Sequence, residues 1–405
     1  MHVVIVGAGI GGLVTALELH RAGIGATVLE QSDARGESGL GLNLLPHAVR
    51  VLAELDLLDD LVAIGVRTAR LTYAHRLGMP ILQRPCGLAA GFDLPQVSCH
   101  RGRFQLLLLD AVRARLGHDA VRTGARVTGV DAAGAVTLAD GEIVRGDVVL
   151  GADGIHSTVR AILVPGEGPP RWNGVTMWRG AIEWPAFDGG DSMIIAGGTA
   201  AKLVVYPIAP GSRPAAVLTN WAVCIQDGRD GDPPPHRQDW SRPGDPAVVI
   251  DLARRFHLDE VDHLALIAAT PVSYEFPMCD RDPLPSWTRG RVTLLGDAAH
   301  PMFPMGSNGA GQSILDAEVL AAHLASGVEP EAALAAYEAQ RHPVTADIVA
   351  RNRAGGPESV IDEVDRRAPD GFARRADVMP DEELDAIVSG YAAATGATPR
   401  QVRRT

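Results

Sequence analysis

"HVVIVGAGIGGLVTALELHRAGIGATVLE" (residues 2–30) decides the fold. It opens with a short β-branched run and passes through Gly7-Ala8-Gly9-Ile10-Gly11-Gly12. It continues as a helical pattern that stops at Gly23 and returns to a second apolar run, ATVLE. Strand, glycine turn, helix and strand in this order predict a βαβ unit. Gly7, Gly9 and Gly12 stand in G-x-G-x-x-G order, which lets backbone approach a pyrophosphate at a helix N-terminus. Glu30 ends the second run about 20 residues beyond Gly9, where a carboxylate can accept hydrogen bonds from ribose hydroxyls. The competing reading is a tight βα turn without a ligand; the ordered series, acid included, favours a dinucleotide.

A second glycine-rich turn lies almost three hundred residues on, in "GDAAHPMFPMGSNGAGQSILDAEVLAAHLA" (residues 296–325). The buried run RVTLLGD ends in Asp297, and helical patterns are predicted over 312–326 and 330–353, with Pro343 kinking or breaking the second. Between the turns, residues 126–154 alternate with period two and predict a β-meander feeding a buried strand that ends at "GADG". There Asp153-Gly154 also suits a plain strand exit. "VTMWRGAIEW", "SMIIAGG", "KLVVYPIA" and "AAVLTNWAVCI" predict a mostly antiparallel sheet, with Gly, Pro and Asp punctuating residues 227–246. Beyond about residue 355 the chain is charged, with a weak helical pattern.

The 405 residues are long for a single core. Four cysteines without CxxC spacing read as unpaired thiols. A net charge of −12, with basic residues clustered only in the RQVRRT tail, argues against nucleic acid. No basic leader and no run of roughly 18 apolar residues is present, so no membrane association and a cytoplasmic location are expected. Of 37 basic residues only Lys202 is lysine, so lysine-dependent chemistry runs through it or not at all.

"GAGIGG", "GADGIHSTVR" and "GDAAHPMFPMGSNGAGQSILDA", in this order, resemble the class A flavoprotein monooxygenases of the para-hydroxybenzoate and salicylate hydroxylase type. "LHRAGIG", "HRG", "TMWRG" and "DRDPLP" are most similar to the group acting on 5-methylphenazine-1-carboxylate. The resemblance implies an α/β fold: a Rossmann-like FAD-binding domain (1–70, 100–172 and 285–355) interleaved with a mostly antiparallel substrate domain (71–99 and 173–284). A helical, polar extension (356–405) follows. It implies one extended, non-covalent FAD spanning both turns, NADH or NADPH and O2 as co-substrates, and a flavin C4a-hydroperoxide that hydroxylates an aromatic ring. Monomer or homodimer is expected.

On that resemblance Gly7, Gly9, Gly12 and Glu30 would hold the adenosine diphosphate half, and Arg101 would contact the FAD. Asp153 and Gly154 would serve FAD and the nicotinamide together. Asp297 would take a ribityl hydroxyl, and Gly306, Asn308, Gly309 and Ala310 would aim amides at the flavin ring. Pro301, Phe303, Pro304, Met305 and Gly306 would wall the flavin side, and Met193, Tyr206, Trp221 and Tyr274 the opposite side. Tyr206, Pro304 and Gly306 are the candidates closest to the reacting atoms, Tyr206 through a hydrogen bond to the ring. Plain core packing fits each large residue of the β-runs equally well. Flavin-dependent halogenation fits poorly, because "MWRGAIEW" lacks its WxWxIP spacing. A flavin-linked oxidoreductase without oxygen transfer and an FAD-binding sensor remain alternatives.

Overall fold

In the computed structural model, which describes residues 1–32, 40–238 and 242–403, five parallel strands form one sheet. Their order is Val292–Leu294, Val148–Gly151, His2–Val6, Gly25–Leu29 and Val121–Arg122. Three residues of the punctuated 227–246 connection and the last two of the basic tail lie outside the described residues. His2–Val6 pairs on both edges and is covered on both faces, which is why it reads as continuously apolar. Helix Ile10–Arg21 packs on helix Gly309–Leu324, so the two glycine-rich turns become neighbours. Gly11 permits that contact: a Cβ there would stand 2.7 Å from the Leu295 side chain.

The β-rich middle builds a seven-stranded sheet. Its order is Ser273–Asp280, Arg171–Pro185, Ala216–Gln226, Ala201–Pro210, Ser192–Ala196, Arg70–Ala74 and Pro80–Pro85. All pairings are antiparallel except Ser192–Ala196 beside Arg70–Ala74. One face carries Trp178, Leu203, Val205, Trp221 and Val223 beneath helices Pro246–Ala253 and His263–Ala269. The other carries Leu71, Tyr73, Met193, Ile195 and Tyr206. A small sheet of Gly41–Leu44, Gln96–His100 and Gly65–Thr68 was not legible beforehand, its strands being only four or five residues long.

Two expectations change. Helix Pro330–Arg353 runs unbroken through Pro343; packing on Gly309–Leu324 outweighs the one hydrogen bond that the ring removes. The charged C-terminal region forms helices Ser359–Arg367, Asp381–Ala394 and Pro399–Val402. Val360, Ile361, Val364, Met379, Leu384 and Val388 close over the second face of the sheet, so these helices belong to a core rather than a solvated tail. Among the described residues no helix is long and apolar enough to cross a membrane.

Leu384→Ala should therefore destabilise the whole protein by about 2–5 kcal/mol, the usual result of emptying a buried leucine site. Urea unfolding of the FAD-loaded protein reads this. A loss well under 1 kcal/mol would mean that these helices do not share the core.

Candidate functional site

A cavity of about 320 Å³ lies where the parallel sheet meets the seven-stranded sheet. Gly9, Ile10, Arg101 and Gly154 line one end, while Asp297, Pro304, Asn308, Gly309 and Ala310 line its side. The three glycines of the first turn divide their work. A Cβ on Gly7 would stand 2.5 Å from the Ala152 carbonyl oxygen, and one on Gly12 would stand 2.1 Å from that of Gly7. Both are needed for strand and helix to close. A Cβ on Gly9 would meet no protein atom within 4 Å; it would project into space that a ligand can use. Glu30 ties the turn, accepting the Ala8 N–H at 2.9 Å and the Ser32 N–H at 3.0 Å, and does not itself line the cavity.

Asp153 does not line the cavity either. Its carboxylate accepts the Ser157 hydroxyl and the Thr158 and Val159 N–H groups, anchoring the start of helix Thr158–Leu163. Its neighbour Gly154 reaches a φ of +80° and does line the cavity. Asp297 behaves in the opposite way. It faces the open cavity from an enclosed setting and accepts no hydrogen bond from the described residues. That enclosure pushes its carboxyl above the ordinary range, with His300 and Arg101 pulling the other way.

The second turn is strained at Ser307, a non-glycine residue at φ +57°. Asn308 is fully buried and donates to the Gly306 carbonyl at 2.9 Å, holding the turn against the start of helix Gly309–Leu324. Pro304 and Met305 line the cavity, whereas Pro301 and Phe303 are buried behind it, Phe303 among Met177, Phe276 and Met278. Gly306 turns away from this cavity. Its N–H donates to Glu358, and a Cβ there would stand 2.5 Å from the Tyr391 ring.

Of the four residues expected on the opposite wall, Met193 and Tyr206 line the cavity. Trp221 does not. Tyr206 pairs with Asn220, so Asn220, Ala222 and Cys224 share its face, and Trp221 points into the helix-covered core with its indole N–H on Thr270 at 2.8 Å. Tyr274 pairs with Arg179 on the cavity side of the sheet but stands outside the cavity lining. Sequence reading missed Met177, Arg179, Lys202 and Met278 in this wall. Lys202 is buried against Glu358 and lies 3.1 Å from the Met305 sulfur. A lone lysine within an apolar run was the available signal.

Residues 1–352 match the FAD binding domain family. The chain belongs to it. The phenazine 1,6-dicarboxylic acid hydroxylase of Lysobacter antibioticus is 39% identical over 402 residues, 96% of each chain. The salicylate hydroxylase of Pseudomonas putida is 30% identical over 349 residues, 79% of this chain and 76% of its own. Among solved structures, Klebsiella pneumoniae HpxO complexed with FAD and uric acid superposes with a TM-score of 0.74 at 26% identity, covering 99% of this chain and 98% of that one. The protein is an FAD-dependent aromatic monooxygenase using NADH or NADPH.

Its residues fit the cofactor. The open space at Gly9, the unengaged Asp297 carboxylate and the amides of Gly309 and Ala310 at a helix N-terminus line one continuous cavity. Gly9→Ala should leave the melting temperature of the apoprotein unchanged yet weaken FAD binding at least tenfold, about 1.4 kcal/mol. Asp297→Ala should weaken it roughly ten- to hundredfold, as loss of one charge-assisted hydrogen bond predicts. Titration of apoprotein with FAD measures both, and wild-type affinity in either variant would remove that residue from the cofactor site.

Proposed function

We propose that the enzyme hydroxylates a planar aromatic or N-heteroaromatic acid of phenazine or salicylate type. The observation that supports this most is the cavity end away from Gly9. Met177, Met193, Ile195, Val204, Met278 and Met305 form an apolar, thioether-rich wall beside the second glycine turn. Such a wall suits a flat, polarisable ring and adapts to its outline. The similarity to a phenazine dicarboxylate hydroxylase along nearly the whole chain supports the same class.

Bound FAD would supply the redox chemistry, taking electrons from the nicotinamide and activating O2. In balance, ring C–H, O2, NAD(P)H and a proton give ring C–OH, NAD(P)+ and water. The protein's part is to hold the ring, exclude water and fix protons. Gly309 and Ala310 open a sixteen-residue helix toward the cavity, which favours negative charge there. Tyr206 is 6% exposed. Burial pushes its phenol up, with Arg179 pulling it down, so the hydroxyl stays protonated at neutral pH and acts by hydrogen bonding to a ring hydroxyl or nitrogen.

Aromatic acids and N-heteroaromatics should accelerate NAD(P)H oxidation and leave with one added oxygen atom. If none does so, the proposal falls, and stimulation without oxygen transfer would mark a plain oxidoreductase. Tyr206→Phe should lower product formed per NAD(P)H consumed and raise peroxide, with FAD content and melting temperature held. Wild-type coupling in that variant would make Tyr206 a packing residue only.

A further inference from the structure

A second cavity, of about 310 Å³, adjoins the first. Asn43, Met193, Ile195, Ser307, Asn308 and Glu358 line both. The second continues under the outer strands of the seven-stranded sheet, over Leu71 and Tyr73. Its opposite side comes from the C-terminal helix Asp381–Ala394, through Val388, Tyr391 and Ala392. That helix lies beyond residues 1–352, the part shared with the FAD binding domain family. The cavity is therefore closed by a segment outside the family-wide region, and a flat ring seated in it meets the cofactor cavity at Ser307 and Asn308.

Among the described residues one cation lines this space without a hydrogen-bonded or ion-paired partner. Arg84 sits on the edge strand Pro80–Pro85, opposite Leu71 and so on the cavity side of the sheet. Its Nε is buried and makes no hydrogen bond, and among the described residues no carboxylate pairs with it. The one carboxylate lining the same cavity, Glu358, is already engaged: it pairs with Lys202 and accepts the Gly306 N–H at 3.2 Å. A buried N–H without an acceptor is costly, and a planar carboxylate is the group that a guanidinium fork matches.

We infer that Arg84 recognises the carboxylate of the aromatic substrate, whose ring system extends from the thioether-rich wall of the first cavity into the space between the edge of the sheet and the C-terminal helices. This rests on the aromatic-acid reading above and adds the residue that selects the acid. Glu358, held by Lys202, closes the inner end of the same space, so only one of the cavity's charges is open to an anion.

The test uses FAD-loaded enzyme and two probes of one shape, phenazine-1-carboxylate and phenazine-1-carboxamide. Binding is read from the absorbance change of the bound flavin and by calorimetry, so no turnover is needed. Arg84→Gln should weaken the acid roughly ten- to hundredfold, the effect of losing one charge-assisted hydrogen bond, and leave the amide unchanged. FAD content and melting temperature should hold, and KM for the acid should rise with kcat retained. Arg84→Lys should recover part of the loss. Equal weakening of acid and amide, or wild-type affinity for the acid in Arg84→Gln, overturns the assignment. If the wild-type enzyme hydroxylates the acid in that last case, Arg84 fails alone. If the wild type binds neither probe and responds to no aromatic acid, the substrate reading fails and takes Arg84 with it.

Discussion

The carboxylate of Asp316 fastens the two halves of the cofactor cradle. It is fully buried and accepts the Gly296 N–H at 3.1 Å, His300 Nε2 at 2.6 Å and Arg341 Nε at 2.6 Å. Burial pushes its pKa up, but the charges and hydrogen bonds of His300 and Arg341 outweigh this and hold it at about 2. Through these contacts the end of strand Val292–Leu294, the turn after it and helices Gly309–Leu324 and Pro330–Arg353 become one unit. Gly296 precedes Asp297, so the carboxylate that faces the cavity is aimed by its neighbour's bond to Asp316. Removing one partner from such a buried set typically costs about 3–5 kcal/mol, because the others keep their charge and lose their compensation.

The same network extends to the C-terminal helices. Arg341 also donates to Gln312 at 2.7 Å, and Gln312 donates to the Thr395 carbonyl at 3.2 Å. Tyr391, on the helix just before Thr395, donates toward the Met305 carbonyl at 2.9 Å and Asn352 at 2.7 Å and accepts from Asn308 at 3.2 Å. Its ring fills the position that a Gly306 side chain would take. The turn beside the cavity is thus held from the front by strained backbone at Ser307 and from behind by a residue more than eighty positions later. A site assembled in this way needs the whole chain folded before the turn takes its shape.

What the sequence made legible follows from this construction. Gly7 and Gly12 are dictated by backbone contacts that forbid a Cβ, and Gly9 by space left for a ligand; such constraints write themselves into residue identity at fixed spacing. The parallel strands were legible because burial on both faces removes alternation. The sheet wall was only half legible. Period two separates Trp221 from Asn220 but does not say which face meets the cavity, and size favoured the tryptophan that turned out to be core. Asp153 stayed open between strand exit and ligand contact because an aspartate that anchors the next helix looks the same in sequence as one that faces a ligand. The C-terminal helices looked polar because only one stripe of each is buried, and Glu358 could not be matched to Lys202 across 156 positions of sequence.

The two kinds of constraint fall on different parts of the cavity. At the Gly9 end the contacts are backbone amides, glycine clearances and one aspartate, which tolerate little change and take the same cofactor whatever ring is oxidised. At the other end the wall is made of side chains on alternate strand positions, Met177, Met193, Lys202 and Tyr206, backed by helices outside the family-wide region. Met177, Met193 and Tyr206 can each be exchanged without moving a backbone atom of the cradle, provided that volume and hydrogen bonds are matched. The buried Lys202–Glu358 pair joins the two regimes. It crosses from the sheet to the C-terminal segment, and Glu358 also accepts the Gly306 amide, so a change of side chain in this wall at this one point is felt by the second glycine turn.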